Sequence, residues 1–579
     1  MNTRLQNNIV KPKHLHLTTT HPLPDFIEPT CALQAIRHPH WKQAMLDEYT
    51  TLTNNETWEL VPPLPDKTIV GYKWIFCIKR HLDGSISRYK ARLVAKGFTQ
   101  RPGLDFTETF SPVVKPVTIR LVLCLTVSNN WRLHQLDVNN SFLQGKLTKE
   151  VYMQQPSVLY DTTKPHHVCK LKKAICGLKQ APRAWYQALS SFFLSFGFTQ
   201  SVADASLFIY HCNGITAYLL VYVDDLILTG NHTAFLCSFI QHLASQFSIK
   251  DLGSLHYFLG IEVVLTAQGF FLSQHRYISD ILIKTGMSGA KASTTPISTT
   301  TRLCLHDGSA TADDEAFRKI VGCLQYLVLT RLDICFVVNK LSQFMHKPST
   351  LHFQALKRVL RYLKRTLFHG LFIKKELSPS LQVFTNSDWA GSPNDKTSTS
   401  VFIIYLGGTP VSWSLKKQKA FARSSSEAEY RAISTAVSEA TWIQSLLHEL
   451  QLVLPSSPSV YCDNLSATYT CKNSVFHTKM KHLQLDFFFV REKIGVTNGA
   501  TILRGHISVA DKLTSATATA DKPAIADKPA TADKLDKLTS VTATVDKPAT
   551  ADKLSVADKL IFVTVTADKL TSTIRDKHI

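Results

Sequence analysis

The sequence predicts a mixed α/β (α+β) protein of several domains ending in a disordered tail, and three observations carry that prediction. Strand-like and helix-like stretches alternate along most of the chain, as they do where helices cover a mixed sheet. At 579 residues, 44% of them hydrophobic, the chain exceeds what one core organises, so about three or four domains are expected. From about Val509 onward Ala-Asp-Lys recurs, around Asp511, Asp521, Asp527, Asp533, Asp552, Asp558 and Asp568, with few large apolar residues between. Such a stretch cannot bury enough surface to fold, and its repeat is too short and irregular for a solenoid.

The elements follow in order. Residues 1–40, rich in Pro, Thr and His, read as a linker. "HWKQAMLDEYTTLTNNETWELV" reads as a helix leading into a strand, and "YKWIFCIKRHLDGSISRYKARLVAKGF" as two strands joined at Asp83-Gly84, a hairpin turn signal. The arms of that hairpin carry Lys73, Lys79, Arg80, Arg88, Lys90, Arg92 and Lys96. These make either a solvated face or a grip on phosphates. "WRLHQLDVNNSFLQG" reads as a strand ending at Asp137. "LHFQALKRVLRYLKRTLFHG" is an amphipathic helix, with Leu356, Val359, Leu360, Leu363 and Leu367 facing a core. Its other side, with Lys357, Arg358, Arg361, Lys364 and Arg365, is open to a nucleic-acid backbone. A second α/β unit begins near residue 380, with strands in "LQVFTNSDW", "SVFIIYLGG" and "SVYCDNLSA". Between them lies a long helix, "SSEAEYRAISTAVSEATWIQSLLHELQL", capped by Ser424 or Ser425 and followed by Pro455.

Lys plus Arg (65) exceeds Asp plus Glu (44), for a net charge of +21, which suits a polyanionic partner. Nucleic acid is favoured over a membrane, because no apolar run approaches the roughly 20 residues of a span. The N-terminus lacks the apolar core of a secretory signal. The twelve cysteines form no Cys-x-x-Cys pair, so free buried thiols in a reducing compartment are expected rather than a zinc site or a disulfide framework.

The chemistry concentrates in "YLLVYVDDLILTG", where Asp224 and Asp225 interrupt an apolar run. Unpaired carboxylates in a core strand cost several kcal/mol or titrate to neutrality. A hairpin with both acids at its tip, bound to divalent cations, removes both the repulsion and the desolvation. Asp137, at the end of its own strand, is a natural third ligand. An Asp-Asp pair in a turn is also common without any metal, and the pattern alone leaves both readings open.

Tyr222-Val223-Asp224-Asp225 resembles the active-site signature of reverse transcriptases. Around it stand, in order, "WKQAMLDEY", "NETWELVP", "DGSISRYKARLVAKGF", "ETFSPVVK", "QLDVNNSFLQGKL", "EVYMQQP", "GLKQAPRAWY", "KDLGSLHYFLGIEV", "VGCLQYLVLTRLDI", "ARSSSEAEYRAI" and "VFHTKMKHLQLDFFFVREK". Over roughly residues 40–510 the chain is similar to the reverse transcriptase and ribonuclease H part of copia-type LTR retrotransposon Pol polyproteins. The resemblance implies right-hand fingers and palm over 41–295, thumb and connection over 296–380 and a ribonuclease H-like domain over 381–512, which leaves the repeat tail over 513–579 outside it. It implies an RNA-directed DNA polymerase, extending a DNA primer on an RNA template with dNTPs through an RNA–DNA hybrid. Asp137, Asp224 and Asp225 match the carboxylates that hold two Mg²⁺ (or Mn²⁺) ions. Phe142 matches the aromatic gate against the sugar 2′ position, or is an ordinary core Phe. Gln180 matches a nucleotide-contacting Gln, or is a surface Gln before Pro182. Lys90 and Arg92 are candidates for the triphosphate, and "YFLGIEV" resembles the primer-grip region. The resemblance also places the protein in cytoplasmic virus-like particles and makes Met1 an internal methionine of a polyprotein.

The nuclease part departs from its family. Of four expected acids, Glu429 and Asp463 match two. The first acid is replaced by Asn386 in "NSDWAG", which loses the charge. Asp388, two residues on and on the same strand face, is a weak substitute. The last acid falls at Asp511, in a shortened terminus that is also the start of the repeat. Ser141, Cys176, Leu332 and Val401 stand where Ala, Tyr, Pro and Gly are usual. Polymerase activity with an impaired ribonuclease H is therefore expected, the alternative being a decayed copy that at most binds nucleic acid. No zinc knuckle, integrase finger or aspartic-protease segment is found, so packaging, processing and integration are not expected of this chain alone.

Overall fold

The computed structural model describes residues 28–80, 85–157, 159–298, 300, 302–375, 379–472, 483–495 and 501–504. The Asp83-Gly84 turn, Asp511 and the repeat tail lie outside the described residues. The chain, of mixed α/β content, forms two compact units, each assembled from separate segments. One comprises Met1–Pro112, Val138–Gly197 and Ala244–Ile249, the other Val113–Asp137, Phe198–Leu243 and Lys250–Ile579.

In the first unit, helix Pro39–Asn54 starts with proline at its first turn, where the missing N–H costs nothing. It buries Trp41 edge-on against Phe76 and Tyr89 of an antiparallel ribbon, Tyr72–Arg80 with Ile86–Ala95. Trp74 and Phe76, two apart, share the inner face with their partners Leu93 and Ala91. A four-stranded sheet stands beside them in the order Trp58–Val61, Val168–Lys173, Lys146–Met153, Ile69–Val70. Helix Ala181–Phe196 ends at Gly197, whose φ of 105° no side-chain-bearing residue adopts easily.

The second unit is built on a six-stranded sheet. Its order is Ile249–Ser254, Arg132–Val138, Asp225–Gly230, Ile215–Tyr222, Leu207–Cys212, Thr199–Gln200. Helix Pro116–Ser128 is apolar on nearly every side and is buried accordingly, against Leu133, Leu207, Tyr218, Leu220 and Ile227. The buried Asp204 carboxylate fixes the start of that helix, accepting from the Lys115 N–H (3.1 Å) and the Thr118 hydroxyl (2.6 Å).

The same core continues into a five-stranded mixed sheet in the order Thr409–Lys417, Thr399–Leu406, Leu381–Asp388, Ser459–Cys462, Thr501–Arg504. The first three strands pair antiparallel and the last two join in parallel. Helix Ser425–Glu449 packs on this sheet, and the Ser424 hydroxyl caps it by accepting from the Glu427 N–H. Polar ties join this sheet to the six-stranded one. Arg120, fully buried, donates to the carbonyls of Val411 and Leu329 (2.8 Å each) and lies over the Trp413 ring. The Trp442 indole donates to Ala203 O (3.0 Å), and the Tyr218 hydroxyl to Leu450 O (2.6 Å).

Four helices, His275–Lys284, Asp314–Leu327, Cys335–Ser342 and Thr350–Arg365, form a separate apolar cluster in the second unit. Leu356, Val359, Leu360 and Leu363 of the last one are buried as its periodicity requires. Its basic face, expected to be open to nucleic acid, is instead largely engaged with the chain itself. Arg358 donates to Thr295, Arg361 to Lys291 O (2.6 Å) and Lys364 to Ala290 O (2.9 Å). These cations satisfy the carbonyls of an irregular connector that has no ladder partners of its own.

Candidate active site

Asp137 and Asp225 face each other as direct register partners on adjacent antiparallel strands. Tyr222 pairs with Asp225 across the next strand, so Val223 and Asp224 are the two central residues of a hairpin turn. Of these, Val223 has a positive φ (56°) and Asp224 does not. That is the φ signature of a type II′ turn, which matches the twist of its strands but is strained for a β-branched residue. The flanking residues Leu219, Leu220, Val221, Leu226, Ile227 and Leu228 are buried, so the turn rises from a rigid apolar base.

Three carboxylates at adjoining strand ends have an electrostatic cost. Burial, then the charges of Asp224 and Asp137, push the Asp225 carboxyl up to about 6, opposed by a hydrogen bond from Gln135. The Gln135 side chain, 7% exposed, also donates to Tyr257 O at 2.8 Å. Sequence reasoning missed Gln135. The signal was available, because it lies two residues before Asp137 and therefore on the same strand face. Hard oxygen donors on a firm base, one of them resisting ionisation while no cation is near, fit Mg²⁺ or Mn²⁺.

A second cluster lies at the ends of two adjoining inner strands of the five-stranded sheet, Leu381–Asp388 and Ser459–Cys462. Glu429, 5% exposed, accepts from the Ser387 N–H (2.9 Å), and Asn386 donates its side-chain amide to Asp463 Oδ2 (3.1 Å). Among the described residues, Glu429, Cys462 and Asp463 form the group whose potential ligand atoms lie within 4.8 Å of one another. Proximity nominates this trio, but its chemistry does not fit a pair of hard cations. An amide donor occupies one Asp463 oxygen, and burial pushes the Cys462 thiol well up, keeping it neutral. Asp388, the weak substitute, is committed elsewhere: its carboxylate accepts from the Thr399 N–H, and it fills the space beside Gly391.

The remaining predicted residues lie on the first unit. Lys90 and Arg92 share the ribbon strand facing Glu48, whose carboxyl burial raises and these two cations hold down. Arg92 also donates to Asn140 Oδ1 (2.9 Å). Phe142 sits in a short 3₁₀ turn after Asn140, half-buried against that unit's core. Gln180 spends both ends of its amide internally, accepting from Gln100 (3.0 Å) and donating to Asp105 O (3.2 Å).

Comparison with known proteins identifies the class first. Residues 55–299 match the family described as "Reverse transcriptase (RNA-dependent DNA polymerase)". The Retrovirus-related Pol polyprotein from transposon RE1 of Arabidopsis thaliana is 49% identical over 524 residues, 90% of this chain and 35% of that protein. The corresponding polyprotein from transposon TNT 1-94 of Nicotiana tabacum is 35% identical over 480 residues, 81% of this chain and 36% of its own length. The chain belongs to the copia-type retrotransposon Pol polyprotein family, and it spans about a third of the length of these relatives. A solved foamy viral protease-reverse transcriptase in complex with double-stranded DNA aligns at 12% identity over 84% of this chain and 72% of that one, with a TM-score of 0.22. No described helix is long and apolar enough to cross a membrane.

Proposed function

We propose that this chain is the RNA-directed DNA polymerase part of a retrotransposon, adding deoxynucleotides to a DNA primer on an RNA template. The observation that carries the reading is the register pairing of Asp225 with Asp137, with Asp224 in the turn beside them. Asp137, Asp224 and Asp225 would hold two Mg²⁺ or Mn²⁺ ions. When bound, these would supply activation of the primer 3′-hydroxyl and charge neutralisation at the departing pyrophosphate. The chain's own part is positional: the buried strands hold the three carboxylates rigidly, and Gln135 favours the ionised form of Asp225. Phe142, Gln180, Lys90 and Arg92 are proposed as nucleotide contacts. The family match of residues 55–299 and the net charge of +21 support nucleic-acid partners. Fingers and palm over 41–295, thumb and connection over 296–380 and a cytoplasmic virus-like particle belong to the same proposal.

The C-terminal sheet is proposed to be ribonuclease H-like. Its support is a strand order in which the first three strands pair antiparallel and the next two add in parallel beside the first. Its nuclease chemistry is proposed to be impaired, because the amide of Asn386 stands against Asp463.

The test is extension of a labelled DNA primer on RNA with Mg²⁺ or Mn²⁺, alongside Asp224→Asn. Divalent-dependent extension that the variant loses by at least about a hundredfold is expected. No extension by either protein, with template binding intact in EDTA, would establish the alternative of a decayed copy that only binds nucleic acid.

A further inference from the structure

Gln135 has an unusual position in the second unit. It is buried on strand Arg132–Val138, two residues before Asp137, yet it carries a two-donor amide. Its cross-strand partner is Ile227, which places it diagonally from Asp225 on the neighbouring strand. Its side-chain amide donates to the Tyr257 carbonyl at 2.8 Å and, from the diagonal position, favours the charged Asp225 carboxylate.

Tyr257 opens a second hairpin, Tyr257–Phe258 paired with Ile261–Thr266. Its two-residue turn, Leu259-Gly260, has both φ angles positive (49° and 67°), the pattern of a type I′ turn. Its second strand pairs along its length with Gly269–Ser273, and Glu262 meets His275 and Arg276. Two contacts hold its turn end. The Tyr326 hydroxyl from helix Asp314–Leu327 donates to Leu259 O, and the Phe258 ring meets Tyr222 edge-on at 6.3 Å. Tyr222 directly precedes the Val223-Asp224 turn, so the two hairpins touch at the ring contact and at Gln135.

We propose that Gln135 is a positioning residue that locks the carboxylate hairpin Tyr218–Gly230 and the hairpin Tyr257–Thr266 into one rigid unit. Its catalytic consequence rests on the polymerase reading, while the mechanical coupling does not. A methionine at this position fills the same volume without donors. It would free the Tyr257 carbonyl and leave the Asp225 carboxylate without its lateral support. An apolar residue in a core strand otherwise costs nothing, so a purely space-filling role predicts no effect from that change.

The test uses the full chain carrying Gln135→Met and, as a milder change that keeps the amide but withdraws it by one methylene, Gln135→Asn. Amide hydrogen exchange at residues 257–263 is expected to quicken by about fivefold or more in both variants, with strand Leu207–Cys212 unchanged. Single-turnover nucleotide incorporation is expected to slow about tenfold, the effect of losing one hydrogen bond to a charged group. The dissociation constant for dNTP should stay within about twofold, because Gln135 touches none of the proposed nucleotide contacts. Unchanged exchange at 257–263, or deprotection spread evenly over the sheet, would overturn the coupling. If the parent chain incorporates no nucleotide, the polymerase reading falls by that result, and the exchange pattern alone still decides the role of Gln135.

Discussion

Replacing Asp225 with asparagine should make the metal-free protein more stable, in a way that depends on pH with a definite sign. Burial and two neighbouring carboxylates raise this carboxyl to about 6 from an ordinary 3.8. Because the folded pKa is the higher one, the folded state holds its proton longer than the unfolded chain. Stability is therefore lost as pH rises between 3.8 and about 6, and the loss is complete above that. That gap, at about 1.4 kcal/mol per pH unit, sets an unscreened ceiling of about 3 kcal/mol. Asp225 is partly exposed, so solvent screening brings the expected cost nearer to about 1 kcal/mol. The asparagine side chain of the Asp225→Asn variant is nearly isosteric and cannot ionise, so it escapes that cost. Denaturant unfolding in EDTA should show the variant more stable by about 1 kcal/mol at about pH 7.5, with the difference shrinking toward zero by about pH 4. Saturating Mg²⁺ should stabilise the parent chain more than the variant, narrowing or reversing the gap. Equal stability of the two proteins at neutral pH, or an advantage that does not change with pH, would refute the electrostatic account.

Two further predictions concern the second unit. Asn386→Asp should abolish the amide contact to Asp463 and gather a third carboxylate beside Glu429. The variant should lose stability in EDTA, regain it with Mg²⁺ and recover cleavage of an RNA–DNA hybrid in a gel assay. Mg²⁺-dependent stabilisation without cleavage would implicate the Asp511 region. Arg120→Met keeps the volume of the buried arginine but leaves the carbonyls of Val411 and Leu329 without their donors. A loss of about 2–4 kcal/mol in unfolding free energy is expected, with one cooperative transition lost or split by fluorescence and circular dichroism. An unchanged unfolding curve would mean that the six- and five-stranded sheets do not depend on this tie.

What the sequence determined by itself is local. Two apolar runs around Asp224-Asp225 specify a hairpin, although the structure puts Val223-Asp224 in its turn and Asp225 at the start of the returning strand, not both acids at the tip. The spacing of Leu356, Val359, Leu360 and Leu363 specifies a buried helix face, and the serines at 424 and 425 specify a cap that the structure gives to Ser424. The meeting of Asp137 with Asp225 lay only within reach of resemblance, since nothing local pairs strands that far apart. Tertiary structure alone decided the rest. Gln135 finds Tyr257 across 122 residues and Arg120 finds Val411 across 291. The basic face of helix Thr350–Arg365 turned out to serve the connector near Thr295, and Asp388 the Thr399 N–H. In each case a buried or half-buried polar group needs a partner, and the chain's chemistry states the need without naming the partner. Hydrophobic patterning is read along the chain because burial is non-directional. Hydrogen-bond and charge satisfaction is directional and short-ranged, so it is settled only when distant strands arrive beside one another.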